Sequence, residues 1–286
     1  MTPCVISLKK LTTMENPTKK VIIMGATSGI GLNVAERLLK DGMTVGVAGR
    51  KTDVLKALQE RYPGKVNYAT IDITAPDAPD RLRDLIRRVG GMDVYFHVSG
   101  IGYENDGLDP SREIATMETN VVGFTRMVGA AFRYFRDNCD GKGHIAAVTS
   151  VAGTNGIGRL AAYSASKRFQ QTYLRALEQL AVIRHLQIRF TDIRPGWVRT
   201  PLLDDNHNYP LVMQLPYAVP RIIRAIRRKA RVAVVDWRWN IVVGLWRLIP
   251  NALWVRLPVK VDSIASKPQT LLNESEAKVG EAEVGE

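Results

Sequence analysis

The chain has 286 residues, 45% of them hydrophobic and 24% charged, a makeup that excludes collagen-like, coiled-coil and wholly disordered chains. Forty Lys and Arg against 28 Asp and Glu give a net charge of +12, which attracts an anionic partner, be it a nucleotide, a nucleic acid or an acidic lipid surface. Cys4 and Cys139 are too few for a disulfide framework, and the four scattered histidines lack zinc-ligand spacing, so no metal site and a reducing compartment are expected.

The first thirteen residues are weakly apolar with lysines after them, the reverse of a secretory signal, and Met14 is a candidate start, so residues 1–18 are read as a flexible leader. From Lys19 onward, short β-rich apolar runs recur: Val21 to Ala26, Thr44 to Ala48, Val66 to Ile71, Val94 to Val98, His144 to Thr149, Ile188 to Asp192 and Arg231 to Val235. The runs are almost continuously apolar, as in strands covered on both faces, and helical spacing such as Val34, Leu38 and Leu39 separates them. This alternation predicts an α/β fold: a single doubly wound, Rossmann-type sheet of about seven parallel strands with helices on both faces, in one domain over 19–262. The remainder, 263–286, is polar and acidic and reads as a disordered tail. The longest apolar stretch, Ile241 to Pro258, is interrupted by Arg247, Pro250 and Arg256, and no membrane span is expected.

The first strand runs into Gly25, Ala26, Thr27, Ser28, Gly29, Ile30 and Gly31, where a helix begins. Glycines there let the backbone approach a pyrophosphate, and the helix N-terminus offers unpaired N–H donors. The second strand ends in Ala48, Gly49, Arg50 and Lys51, with no carboxylate for a ribose 2′-hydroxyl but two cations suited to a 2′-phosphate, which points to NADP(H). Tyr163 and Lys167 lie four residues apart at the start of a predicted helix, on one face. Bringing a phenol from a pKa of ~10 to ~7 takes about 4 kcal/mol, most of which a nearby ammonium in a desolvated site is expected to supply.

The Gly-x-x-x-Gly-x-Gly spacing of Gly25, Gly29 and Gly31 resembles the signature of the short-chain dehydrogenase/reductase family, and the likeness continues downstream. It covers about Lys19 to Pro201 strongly. By this resemblance Asp72 and Ile73 flank the adenine, Gly100 lines the adenosine side, and Pro195, Gly196, Val198 and Thr200 sit beside the nicotinamide. Asn120, Ser150, Tyr163 and Lys167 fill the family's catalytic positions. Tyr163 is implied as the acid/base, Ser150 as the group holding the substrate oxygen, Lys167 as the ligand of the nicotinamide ribose, and Asn120 as the anchor of a water connecting Lys167 to solvent. One departure stands out: His97, Val98, Ser99 and Gly100 replace the usual Asn-Asn-Ala-Gly, and His97 reads as a buried structural residue.

The resemblance therefore implies a cytoplasmic NADP(H)-dependent oxidoreductase interconverting a carbonyl and an alcohol. The alternative is a non-catalytic NADP(H)-binding regulator of the same fold. Leu203, Leu211, Val212, Met213, Leu215 and Tyr217 are expected in an apolar lid between Leu202 and Pro220 over a hydrophobic substrate, with core packing the competing reading. Phe169, Tyr173, Leu177 and Leu180 form a helical stripe expected between subunits of a homodimer or homotetramer. Trp237, Trp239, Trp246 and Trp254 beside Arg238, Arg247 and Arg256 favour pocket closure or a subunit contact and leave weak peripheral membrane association open. No nucleic-acid recognition motif accompanies the positive charge.

Overall fold

Each apolar run becomes a strand because its alternate side chains find cover on opposite faces. The computed structural model describes residues 19–203, 207–257 and 262–263; the expected leader, and the expected tail beyond residue 263, lie outside them. The strands of the main sheet are β1 (Lys20–Met24), β2 (Thr44–Gly49), β3 (Val66–Thr70), β4 (Val94–His97), β5 (Lys142–Val148), β6 (Gln187–Pro195) and β7 (Val232–Val235). They form one parallel sheet in the order β3-β2-β1-β4-β5-β6-β7. In β1 the register sets Ile23 beside Val47 of β2 and Phe96 of β4.

Nine helices are described: α1 (Gly29–Lys40), α2 (Thr52–Arg61), α3 (Ala78–Val89), α4 (Pro110–Met117), α5 (Phe124–Asn138), α6 (Ala161–Ile183), α7 (Leu215–Arg227), α8 (Trp237–Leu248) and α9 (Asn251–Trp254). Ile23, Val45 and Phe96 face one core with Val34 and Leu38 of α1, Leu55 of α2, Ile222 of α7 and Trp239 of α8. Ile22, Met24 and Tyr95 face the other with Leu85 of α3, Phe124 and Phe135 of α5, and Leu174 of α6. Each fully buried Ile or Leu contributes ~1.5–3 kcal/mol.

The chain winds one way from β1 to β3 and the other from β4 to β7, so the loops after β1 and β4 diverge and leave a crevice at the carboxyl ends of these strands. Among the described residues no helix is long and apolar enough to cross a membrane. The stripe expected between subunits is used within the chain: Leu177 is buried, and Phe169, Tyr173 and Leu180 pack part-buried against the second core.

Candidate active site

The turn after β1 is held by two amides, Gly25 and Ala26, both donating to the Ala48 carbonyl at 2.8 and 2.9 Å. Gly25 has φ +98°, and a Cβ there would stand 2.6 Å from the Ser99 amide nitrogen. A Cβ on Gly31 would collide with the Gly25 carbonyl oxygen, so the first turn of α1 closes on the loop only with glycine at both positions. Ser28 is the N-cap of α1 without a side-chain cap bond, and no acidic residue stands in that first turn. The donors of the helix N-terminus are therefore open to an external anion.

Thr27, Ser28, Gly29 and Ile30 form one wall of a cleft together with Gly25, Arg50, Asp72, Ile73 and Gly100. The Asp72 carboxylate accepts from the Thr74 amide at 2.9 Å and the Thr74 hydroxyl at 2.8 Å. Burial raises its pKa, but the Thr74 bonds and the Arg50 charge outweigh this and leave the carboxyl below its ordinary value. Pro195 ends β6, and Gly196, Val198 and Thr200 enter from the loop after it, with Thr200 packed 3.1 Å from where a Gly29 Cβ would be. Gly31 and Lys51 lie outside the lining: Gly31 is buried behind the turn, and Lys51 is exposed at the N-cap of α2.

The same cleft is lined by Ser150, Tyr163 and Lys167. Ser150 lies two residues beyond β5 and caps a short 3₁₀ turn, accepting from the Ala152 amide at 3.1 Å. Tyr163 sits in the first turn of α6 and Lys167 one turn on, so both face the cleft. The Tyr163 hydroxyl is hydrogen-bonded to Ser150, yet burial outweighs that bond and lifts the phenol above its ordinary pKa. The Lys167 ammonium lies 5.6 Å from the Tyr163 ring centroid and donates to Val148 O at 3.3 Å and Gln170 Oε1 at 3.2 Å. Burial lowers its pKa to about 8 against the raising influence of Asp192. Burial thus shifts the Tyr163 phenol upward, opposite to the lowering expected from the neighbouring amine.

Asn120 is fully buried, in a π-helical turn (Glu118–Gly123) joining α4 to α5. Its amide donates to Ile101 O at 2.7 Å and Ser166 Oγ at 3.0 Å, and its Oδ1 accepts from the Ile101 amide. The Gln170 amide donates to the Asn120 carbonyl at 2.9 Å while accepting from Lys167, so a side chain bridges the two positions that the family resemblance joins through water. His97 is buried, with Nδ1 3.0 Å from the Tyr95 hydroxyl; burial and the Lys167 charge bring its pKa to about 3, and the ring is neutral.

Sequence reasoning missed Gln170, Gln171, Asp192 and Arg194. Gln171 donates to Ser150 O at 2.7 Å, fixing the end of β5, and Asp192 and Arg194 form a buried ion pair beneath Lys167. Their only signal was polarity on faces that the strand and helix patterns assign to the interior. The apolar lid divides: Leu203 lines the cleft with Leu202, Tyr209 and Pro210, whereas Met213 is core, Leu215 and Tyr217 pack against it, and Leu211 is exposed. Trp197, Trp239 and Trp246 supply the aromatic part of the cleft instead.

A family model described as short chain dehydrogenase matches residues 19–209. An uncharacterized oxidoreductase of Myxococcus xanthus is 29% identical over 247 residues, covering 84% of this chain and 96% of that one. A short chain dehydrogenase of Burkholderia cenocepacia, solved in complex with NADP, superposes with a TM-score of 0.72 at 21% identity, covering 85% of this chain and 98% of that one. A 3-ketoacyl-(acyl-carrier-protein) reductase of Brucella melitensis, solved with NADH, gives 0.66 at 21% identity, covering 76% and 96%. These two structures share the fold and differ in cofactor, so the choice of cofactor lies in local residues.

Proposed function

The chain belongs to the short chain dehydrogenase family, and from that premise we propose that it is an NADP(H)-dependent oxidoreductase interconverting a carbonyl and an alcohol on an apolar substrate. The observation that carries this reading is the convergence of the Tyr163 hydroxyl, Ser150 and the Lys167 ammonium in one cleft with the glycine turn. The donor set fits a dinucleotide phosphate: uncapped helix amides at Ser28 to Ile30, a glycine cradle that a Cβ would fill, and Arg50 at the carboxyl end of β2. NADPH, when bound, supplies the hydride.

The protein supplies position, hydrogen bonds and a proton. Tyr163, kept protonated by burial, donates to the carbonyl oxygen, and Ser150 hydrogen-bonds the same oxygen. Lys167 holds the nicotinamide ribose and links, through Gln170, to the Asn120 carbonyl. Trp197, Trp239 and Leu203 shape the apolar side of the cleft and exclude water. A cytoplasmic location and a homodimeric or homotetrameric state complete the reading.

A panel of ketones, aldehydes, steroids and acyl chains assayed with NADPH and NADH tests the proposal. NADPH oxidation with at least one class supports it, and NADPH binding with no turnover across the panel favours the regulatory alternative. Arg50→Glu is expected to lower kcat/KM for NADPH ~10–100-fold, since a charged hydrogen bond contributes ~1.5–3 kcal/mol, while leaving NADH unharmed. An unchanged ratio of the two would show that Arg50 does not read the phosphate.

Lys167 is charged below its pKa of about 8 and loses its proton above it. The free-enzyme profile of kcat/KM is therefore expected to fall above pH 8 toward a tenfold loss per unit. In Lys167→Arg, which does not titrate in this range, that limb should vanish at a lower overall rate; its persistence would assign the limb to another group.

A further inference from the structure

We propose that the outward face of α8 and α9 docks this protein on an anionic lipid bilayer. Trp237, Ile241, Leu245 and Leu248 recur at helical spacing and form one stripe, with Trp237 66% and Leu248 78% exposed. The opposite side of the helix is committed inward: Trp239 and Val243 are buried in the core, and Trp246 meets Trp239 and Trp254 edge-on with ring centroids 6.2 and 5.4 Å away. Trp254 Nε1 donates to Gly156 O at 2.7 Å, which pins α9 and leaves Leu253, Val255 and Leu257 exposed beside the stripe. Seven large apolar side chains thus stand open within 21 consecutive residues, Trp237 to Leu257.

The charge around this face selects its occupant. From Trp237 to Leu257 there is no Asp or Glu. Arg247 and Arg256 are exposed and make no ion pair among the described residues, while Arg238 is spent on Asp236 at the helix start. A second copy docked through this face by a two-fold axis would set these arginines against arginines, with no acid on α8 or α9 to neutralise them. An anionic bilayer offers what the face lacks: phosphates for Arg247 and Arg256 at the headgroup level and hydrocarbon for Trp237, Ile241, Leu245 and Leu248 below. Stable peripheral attachment takes two weak signals, and here an apolar stripe and a basic rim share one surface. Because Trp239 and Trp246 on the inner side of the same helix line the cleft, docking sets the substrate site close to the lipid phase.

Flotation of the full chain with phosphatidylcholine vesicles, with and without phosphatidylglycerol, tests the assignment independently of any turnover. Recovery with the anionic vesicles and its weakening by added salt are expected. The variant Trp237→Gln/Ile241→Gln/Leu245→Gln/Leu248→Gln changes only exposed side chains, so its thermal unfolding and NADPH binding should match the parent while its vesicle binding falls at least about tenfold. Arg247→Gln/Arg256→Gln should erase the preference for anionic over neutral vesicles. The proposal is overturned if the parent ignores both vesicles, binds both equally, or binds as well after the stripe is removed. It is likewise overturned if sedimentation shows a dimer that the stripe variant dissolves without any vesicle binding, which would make a second copy the occupant.

Discussion

Tyr163→Phe is expected to lower kcat for carbonyl reduction by about 10²–10⁴-fold, the usual worth of a positioned general acid. The substitution keeps the ring, its burial and its packing, and removes only the hydroxyl. Ser150 keeps its bond from the Ala152 amide but loses its partner in the Tyr163 hydroxyl, at a cost of about 1–3 kcal/mol that should leave the chain folded. NADPH binding, followed by fluorescence titration, should change little because the substitution leaves the glycine turn and Arg50 intact. A split between lost turnover and retained binding identifies proton donation as the missing function. Turnover equal to the parent enzyme would remove Tyr163 from the chemistry. Tyr163 and Lys167 act on one reacting centre, so the double variant Tyr163→Phe/Lys167→Ala should be scarcely slower than Tyr163→Phe alone.

The sheet was legible because its strands are covered on both faces and so carry unbroken apolar runs, and the turn from Gly25 to Gly31 was legible because only glycine fits there. Tyr163 and Lys167 were found from spacing and Ser150 from the family resemblance, and all three line one cleft. Spacing cannot show desolvation, however. The sequence placed an amine one turn from a phenol and suggested acidification, whereas burial of both groups raises Tyr163 and lowers Lys167. Gln170 and Gln171 escaped notice for a related reason: a polar residue on a long helix looks solvated until the partners, here Asn120 and Ser150 from elements far along the chain, are brought beside it. Apolar side chains are ambiguous in the same way, since hydrophobicity alone does not separate Met213 in the core from Leu203 in the cleft.

Arg194→Met should destabilise the fold by about 3–5 kcal/mol, the penalty for leaving a buried charge without its partner. Asp192 and Arg194 are alternate residues of β6 on the same face, 7% and 5% exposed, with Arg194 Nη2 2.6 Å and Nε 2.8 Å from Asp192 Oδ2. The Thr149 hydroxyl bonds the other carboxylate oxygen at 2.6 Å and cannot replace a cation. For a chain of this size the loss corresponds to a fall of roughly 6–20 °C in Tm, measurable by calorimetry and by urea unfolding. The double variant Asp192→Leu/Arg194→Met removes both charges and should recover most of the stability, because Thr149 retains a second acceptor in the Ile193 carbonyl. Its activity should nonetheless differ from the parent in one respect. Asp192 supports the charge on Lys167 against desolvation, so without it the Lys167 pKa falls below about 8 and the alkaline limb of kcat/KM moves to lower pH. Recovered stability with an unmoved limb would mean that the ion pair only holds β6 in place; a moved limb means that it also sets the protonation of the lysine above it.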